Sequence, residues 1–298
     1  MADYYAVQFL HPGGEHQPNE DGLIAWNTGA HRRKFLKTKG AVIDAERIVD
    51  EEIVFWGEWE PPSRLIRSIP SPLPHGPRNV FEPYLERPQA YDGPALLQNT
   101  DPFVFGPHFH YTGCQQRTKR GPTRLRYLER GSLVLFGSCV ERRMFALDTV
   151  FVVGSWIDHD RLTFTDAILD HVHPTYVATT FSPWYRADMM AHDPSRVQTE
   201  TSLPSFRLYC GASPGEPVEG MYSFFPCQQY AQSPFGFERP IVSLPGVVNP
   251  QKTQGYKLTP LNRCIDVSGV WQAVVDQVLN QGCRLGVKAE LPPVISPR

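Results

Sequence analysis

The chain has 298 residues, 41% apolar and 12% aromatic, enough to build a substantial core and too apolar for a disordered protein. Its formal net charge of −2 excludes a globally cationic nucleic-acid coat, so an anionic partner has to be met by local patches. No apolar run approaches the ~18 residues of a membrane span. The opening MADYYAVQFLHPGGEH has neither a basic nor an apolar leader region, so a cytoplasmic protein without membrane association is expected.

The first strand signal is YAVQFL (5 to 10), rich in aromatic and β-branched residues. AWNTGAHRRKF (25 to 35) follows, an Asn-Thr-Gly turn leading into His31, Arg32, Arg33 and Lys34. Backbone N–H groups at a turn followed by cations suit a phosphate, although the pattern is neither a P-loop nor a Rossmann fingerprint. IVFWGEW (53 to 59) is the next strand. If it stays extended through residue 60, Trp56, Glu58 and Glu60 share one face and Phe55, Gly57 and Trp59 the other. Two adjacent carboxylates could serve as a general acid and base, and Trp56 and Trp59 could stack on a base. The plainer reading pairs the acids with Arg64, Arg67 or the basic run further on.

Prolines number 29, about twice average usage, and cluster in 61 to 107 and 204 to 250, where long helices are not expected. QNTDPFVFG (98 to 106) contributes Asn99 and Asp101 just before FGPHFHYTGCQQRTKRG (105 to 121). A strand here would set His108 and His110 on one face. With Cys114 they form a set of zinc-type ligands, but no fourth ligand is identifiable and the spacing matches no finger. No metal or other cofactor is therefore assigned, and zinc through His108, His110 and Cys114 is carried as the alternative. From Arg117 to Arg130 six cations (Arg117, Lys119, Arg120, Arg124, Arg126 and Arg130) face one acid, Glu129. Such a run is either a solvated face or a phosphate contact, with Tyr111 beside it as a stacking ring.

SLVLFGS (132 to 138) and MFALDTVFVVGSW (144 to 156) are separated by a short turn and read as a hairpin, apolar enough to lie centrally in a sheet or small barrel. Asp158, His159 and Asp160, and His171 with His173, have ligand-like chemistry of second rank. A short helix is expected over FTDAILDHV (164 to 172), ended by Pro174. The best helix is GVWQAVVDQVLNQG (269 to 282), capped by Ser268 and closed by Gly282. The six cysteines are widely spaced with no C-x-x-C pair and read as reduced thiols.

The expected fold is α+β: a β-rich twisted sheet or small barrel with a few short helices and Pro-rich loops. One domain over 1 to 298 is expected, with a weak sub-boundary near 200. LRYLERGSLVLFGSCVERRMFALDTVFVVGSW (125 to 156) resembles the core of PUA/ASCH-like β-barrel proteins and the nucleotide-modification-associated domains, with Gly131 and Ser132 at the turn that starts a barrel strand. The resemblance covers about a tenth of the chain and carries no catalytic residue. It implies a PUA-like barrel and a role connected with nucleic acid or DNA modification.

The function expected from these readings is binding of nucleic acid or a modified nucleotide in an aromatic and acidic cleft flanked by the basic stretch. Trp56, Trp59, Arg64, Asn99, Asp101, Tyr111, Arg32, Arg33, Lys34, Arg117, Lys119, Arg120 and Arg124 are the expected binding residues. One alternative is an enzyme on nucleotides or nucleic acid, a hydrolase or base-modifying enzyme, with Glu58, Glu60, His108 and His110 as acid and base. The other is a structural subunit whose arms meet protein partners.

Overall fold

The computed structural model describes residues 4–11, 14–45, 47–69, 78–86, 96–160, 168–185, 205–261 and 264–295. In chain order the strands are β1 (Tyr4–Leu10), β2 (Leu23–Ile24), β3 (Lys34–Asp44), β4 (Arg47–Gly57), β5 (Ser63–Ser68), β6 (Asn79–Pro83), β7 (Leu85–Glu86), β8 (His110–Tyr111) and β9 (Arg117–Thr118). They continue with β10 (Gly121–Pro122), β11 (Leu133–Val140), β12 (Met144–His159), β13 (Phe206–Gly211), β14 (Phe225–Gln229), β15 (Gly255–Leu261), β16 (Arg284–Ala289) and β17 (Val294–Ile295).

Two larger mixed sheets result. One has the order β15-β1-β11-β12-β13-β8, and the other β16-β14-β4-β3-β6-β5-β2. In the second, β16 also pairs with β3, so β3, β4, β14 and β16 close a ring of hydrogen-bonded neighbours. The expected hairpin is β11–β12, paired down to Val140 and Met144, and β11 lies in the middle of its sheet. Strands from either side of position 200 contribute to both sheets.

The two-residue period of these strands divides the interior into two cores. Val7 and Phe9 of β1, Val134 and Phe136 of β11, Phe151 and Val153 of β12, and Ile53 and Phe55 of β4 belong to one. Their neighbours Ala6, Leu133, Leu135, Val150, Val152, Val54 and Trp56 belong to the other. Burial on both faces accounts for the near-continuous apolarity of β11 and β12.

The closing helix, Cys264–Asn280, lays Val267, Trp271, Val274 and Val278 into the second core. It starts earlier than the expected Gly269, so Ser268 lies inside the helix and does not cap it. The apolar stripe already includes Val267, and Asp266 puts a carboxylate in the first turn, where the helix dipole favours it. The C-terminal expectation holds: Gly282 takes φ +76° and its N–H reaches Leu279 O, while Cys283 N reaches Val278 O.

Of the helix expected over 164 to 172, residues 164 to 167 lie outside the described residues and 169 to 171 form a turn. Pro174 does not end a helix but begins one. An α-turn, Pro174–Tyr176, capped by His173, runs into a π-helical stretch, Val177–Phe181, and on to residue 185. This segment covers the first core with Tyr176, Phe181 and Tyr185. No helix among the described residues is long and apolar enough to cross a membrane.

Candidate functional site

The site is built by the register of one hairpin. In β3–β4, Lys34 lies opposite Gly57 and Phe35 opposite Trp56. Carried one and then three residues past the paired ends, that register brings Arg33 to Glu58 and His31 to Glu60. The side chains meet accordingly: Arg33 Nη1 is 2.5 Å from Glu58 Oε2, and His31 Nδ1 is 2.8 Å from Glu60 Oε1 and 3.2 Å from Glu58 Oε1. The paired strand itself ends at Gly57, and Pro61 and Pro62 separate this segment from β5.

Each carboxylate is tied down from further elements. Glu60 Oε2 accepts from Asn27 Nδ2 at 2.6 Å, and Glu60 N donates to Thr100 Oγ1. Glu58 Oε1 accepts from Asp101 N at 3.2 Å. The Asp101 carboxylate in turn accepts from Thr112 N at 3.0 Å and Cys114 N at 3.3 Å, which fixes the 112 to 114 turn beneath the site. Thr100 is stitched to the 174–185 helix through Thr179 O and Thr180 Oγ1.

Burial and charge set the protonation of this cluster. For His31, burial opposes the charge, but the carboxylates of Glu58 and Glu60 overcome it and raise the imidazole to about 10. His31 therefore stays an imidazolium that holds two carboxylates side by side. Burial, then the charges of Arg33 and His31, push His11 well down. It is neutral, and its Nδ1 accepts from Arg33 Nη2. Burial raises Asp101 well above the ordinary carboxyl range against the pull of the Thr112 N–H. It also lowers Lys34 to about 7, opposed by Glu60 and Glu58. Burial, followed by the charges of Asp101 and Glu58, drives the Cys114 thiol upward, so Cys114 is a poor candidate for a nucleophilic thiolate.

Above the cluster opens a cleft of about 310 Å³ lined by His31, Arg33, Glu58, Asn99, Asp101 and, on its other walls, Phe9, His11, Gly113, Cys114, Gln115 and Trp184. Trp184 stacks on Tyr185 at 4.7 Å and meets Phe206 edge-on. Behind it, Tyr185 OH contacts His159 Nδ1, and His159 Nε2 contacts Thr112 Oγ1, so the indole wall and the 112 to 114 turn are locked together. Gln115, at φ +58°, ends the rim. Two residues later the chain enters the β9–β10 hairpin, whose turn exposes Lys119 and Arg120.

The residues singled out in the sequence fall into several places. Glu58, Asn99, Asp101, Arg33 and Cys114 line the cleft, with Glu60 directly beneath it. Arg33 is buried and committed to Glu58 and His11. Lys34 is wholly buried and donates to Trp59 O, Pro61 O and Ser63 Oγ. Only Arg32 of that triplet is exposed. Trp56 and Trp59 are core side chains in opposite cores, Trp56 against Phe35 and Trp59 against Phe105, and neither lines the cleft. Strand pairing ends at Gly57, but the alternation continues through the next three residues, so Trp59 joins Phe55 in the first core while Glu58 and Glu60 reach His31.

Tyr111 is buried and donates to Cys114 O. His110 packs on Tyr176 at 4.7 Å, and burial lowers it to about 3; His108 is exposed. Among the described residues the one group of three ligand-type side chains with all donor atoms within 4.8 Å is His31, Glu58 and Glu60. His108, His110 and Cys114 do not form such a group. The shared imidazolium proton already accounts for the closeness of the three, and Arg33 beside Glu58 opposes a second cation there. Arg64 is exposed on β5, away from the cleft lining. Arg117, Lys119, Arg120 and Arg124 lie on the hairpin and the turn after it, with no ion pair among the described residues. The five cysteines described are free thiols.

His31 reads in the sequence only as part of a phosphate-binding turn, and His11, Gln115 and Trp184 escaped the sequence reading. The pairing of His31 had a usable signal: once KFLKTKGAVID is taken as a strand paired with β4, H-x-R falls opposite E-x-E. Trp184 and His11 are brought in by long-range packing and had none.

No protein-family model, no curated protein and no solved structure matches this chain.

Proposed function

We propose that the protein binds a nucleobase or nucleotide, free or within nucleic acid, in the cleft of Glu58, Asn99, Asp101 and Trp184. The observation that carries this reading is the cleft's continuity with the cationic hairpin. An aromatic wall, carboxylate and amide groups at its base, and a phosphate-seeking loop beginning two residues beyond Gln115 are the parts such a ligand needs. A volume of about 310 Å³ suits one nucleotide-sized ligand. The closed ring of β3, β4, β14 and β16 supports, as part of the same proposal, a PUA-like barrel, and a cytoplasmic setting is the one in which the free thiols fit.

A second reading, an enzyme acting on the bound nucleotide, is favoured by one feature. His31 is anchored through Nδ1 by two carboxylates while its ring lines the cleft at 34% exposure, so its other nitrogen is free to exchange a proton with a ligand. In this reading the acid and base are His31 and Glu58, since His110 is shut behind Tyr176.

The test is titration of the purified protein with nucleoside monophosphates and labelled single- and double-stranded DNA and RNA at low and moderate salt, scoring binding and probe mass together. Binding of intact probe, weakened by Trp184→Ala, is expected. Altered mass that disappears in His31→Gln favours the enzyme. No binding at low salt defeats both and leaves assembly with protein partners.

A further inference from the structure

Outside the cleft, one surface carries an ordered stack of rings and guanidinium groups. The Arg207 guanidinium lies 4.5 Å from the Trp156 ring and 6.0 Å from the Tyr127 ring, and Arg126 lies 5.7 Å from Tyr127. Asp158 holds both arginines in place, 3.0 Å from Arg126 and 3.2 Å from Arg207. Tyr127 nevertheless remains 50% exposed. A half-exposed aromatic ring beside two cations held on one carboxylate offers a stacking face next to positive charge.

The stack is also wired to the cleft. Gln116 follows the cleft residue Gln115, and its side-chain amide both donates to Arg207 O at 2.7 Å and accepts from Arg207 N at 2.8 Å. Thr112 Oγ1 reaches the same carbonyl. The rim of the cleft, the root of the β9–β10 hairpin and the base of the ring stack are thus one hydrogen-bonded unit. Around it, Lys119, Arg120, Arg124 and Arg130 are exposed and form no ion pair among the described residues.

We propose that this face is a single-strand track: a single-stranded nucleic acid runs over the Lys119–Arg120 hairpin with a base stacked on Tyr127, and is thereby led to the cleft. The inference rests on the nucleotide reading above and adds to it the polymeric, unpaired form of the ligand. A strand with bases turned outward can offer a ring face to Tyr127 and phosphates to the lysine and arginines at once. A duplex hides its ring faces, and a lone nucleotide is too short to reach both places.

The test compares a labelled single strand of about 12 nucleotides, the matching duplex and a nucleoside monophosphate, against the wild type and three variants. Tyr127→Ala should weaken the single strand about ten-fold or more, while Tyr127→Phe, which keeps the ring face, binds as the wild type does. Lys119→Glu should flatten the salt dependence. Monophosphate binding should be the same in all four proteins. Single-strand binding untouched by Tyr127→Ala, or a duplex bound as tightly as the single strand, overturns the track. If the monophosphate fails to bind while the single strand binds and responds to Tyr127→Ala, the track stands and the cleft reading falls. If the monophosphate binds and the longer strand binds no better, the cleft stands and the track falls.

Discussion

The guanidinium of Arg33 lies 2.5 Å from the carboxylate of Glu58, and both side chains are almost sealed from solvent, at 2% and 3% exposure. Such a pair adds little net stability compared with an apolar pair of the same shape, but removing one partner leaves a buried charge uncompensated. Arg33→Met should therefore cost about 3–5 kcal/mol, read as a lower urea midpoint. Adding Glu58→Leu to it should recover most of the loss. A single variant that unfolds like the wild type would show that water reaches Glu58.

Two groups beside this pair give stability opposite pH dependences. His31 is raised from 6.5 to about 10 in the folded protein. The stability that its proton contributes is fully present below pH 6.5, declines across 6.5 to about 10 and is gone above it. Lys34 is lowered from 10.5 to about 7. Its proton is released on folding between those values, so its effect is to make stability rise with pH over the same range. In the wild type the two trends oppose each other. His31→Gln should unmask the rise and Lys34→Met the fall, measured as unfolding midpoints from pH 6 to 10. An unchanged slope in His31→Gln would mean that the imidazole does not carry the shared proton.

Gly113 takes φ +66°, and a Cβ added there would come within 3.0 Å of the Trp184 indole. Gly113→Ala should cost about 1–2 kcal/mol from the backbone alone. It should also push the indole wall and lower affinity for a cleft ligand more than stability loss explains. Thermal unfolding and ligand titration on the same variant separate the two effects. Full affinity in a destabilised variant would remove Trp184 from the binding surface.

Much of this fold was legible because its signals are local. The strands at 5 to 10, 132 to 138 and 144 to 156 and the closing helix show their period and composition directly, and the β11–β12 turn is short. Glu58, Asn99 and Asp101 stood out as polar residues in apolar or turn surroundings. Trp56 and Trp59 misled because an indole reads equally as a stacking surface and as core: the alternation through Glu60 holds, but both faces it defines are covered, one by each core. Lys34 misled because a lysine in a basic run reads as solvated, whereas three oxygen acceptors bury this one. The partnership of Trp184 with Gly113, and of Gln116 with Arg207, joins segments 71 and 91 residues apart, a distance at which composition and period carry no information.

The most direct measurement is photo-crosslinking of a short single strand carrying one 4-thiouracil or 5-bromouracil base, followed by mass mapping of the attached peptide. A base seated in the cleft predicts attachment at Trp184 or within 113 to 115, abolished by excess nucleoside monophosphate. Attachment only at surfaces remote from both the cleft and Tyr127, or none under conditions where the strand is bound, would contradict the account.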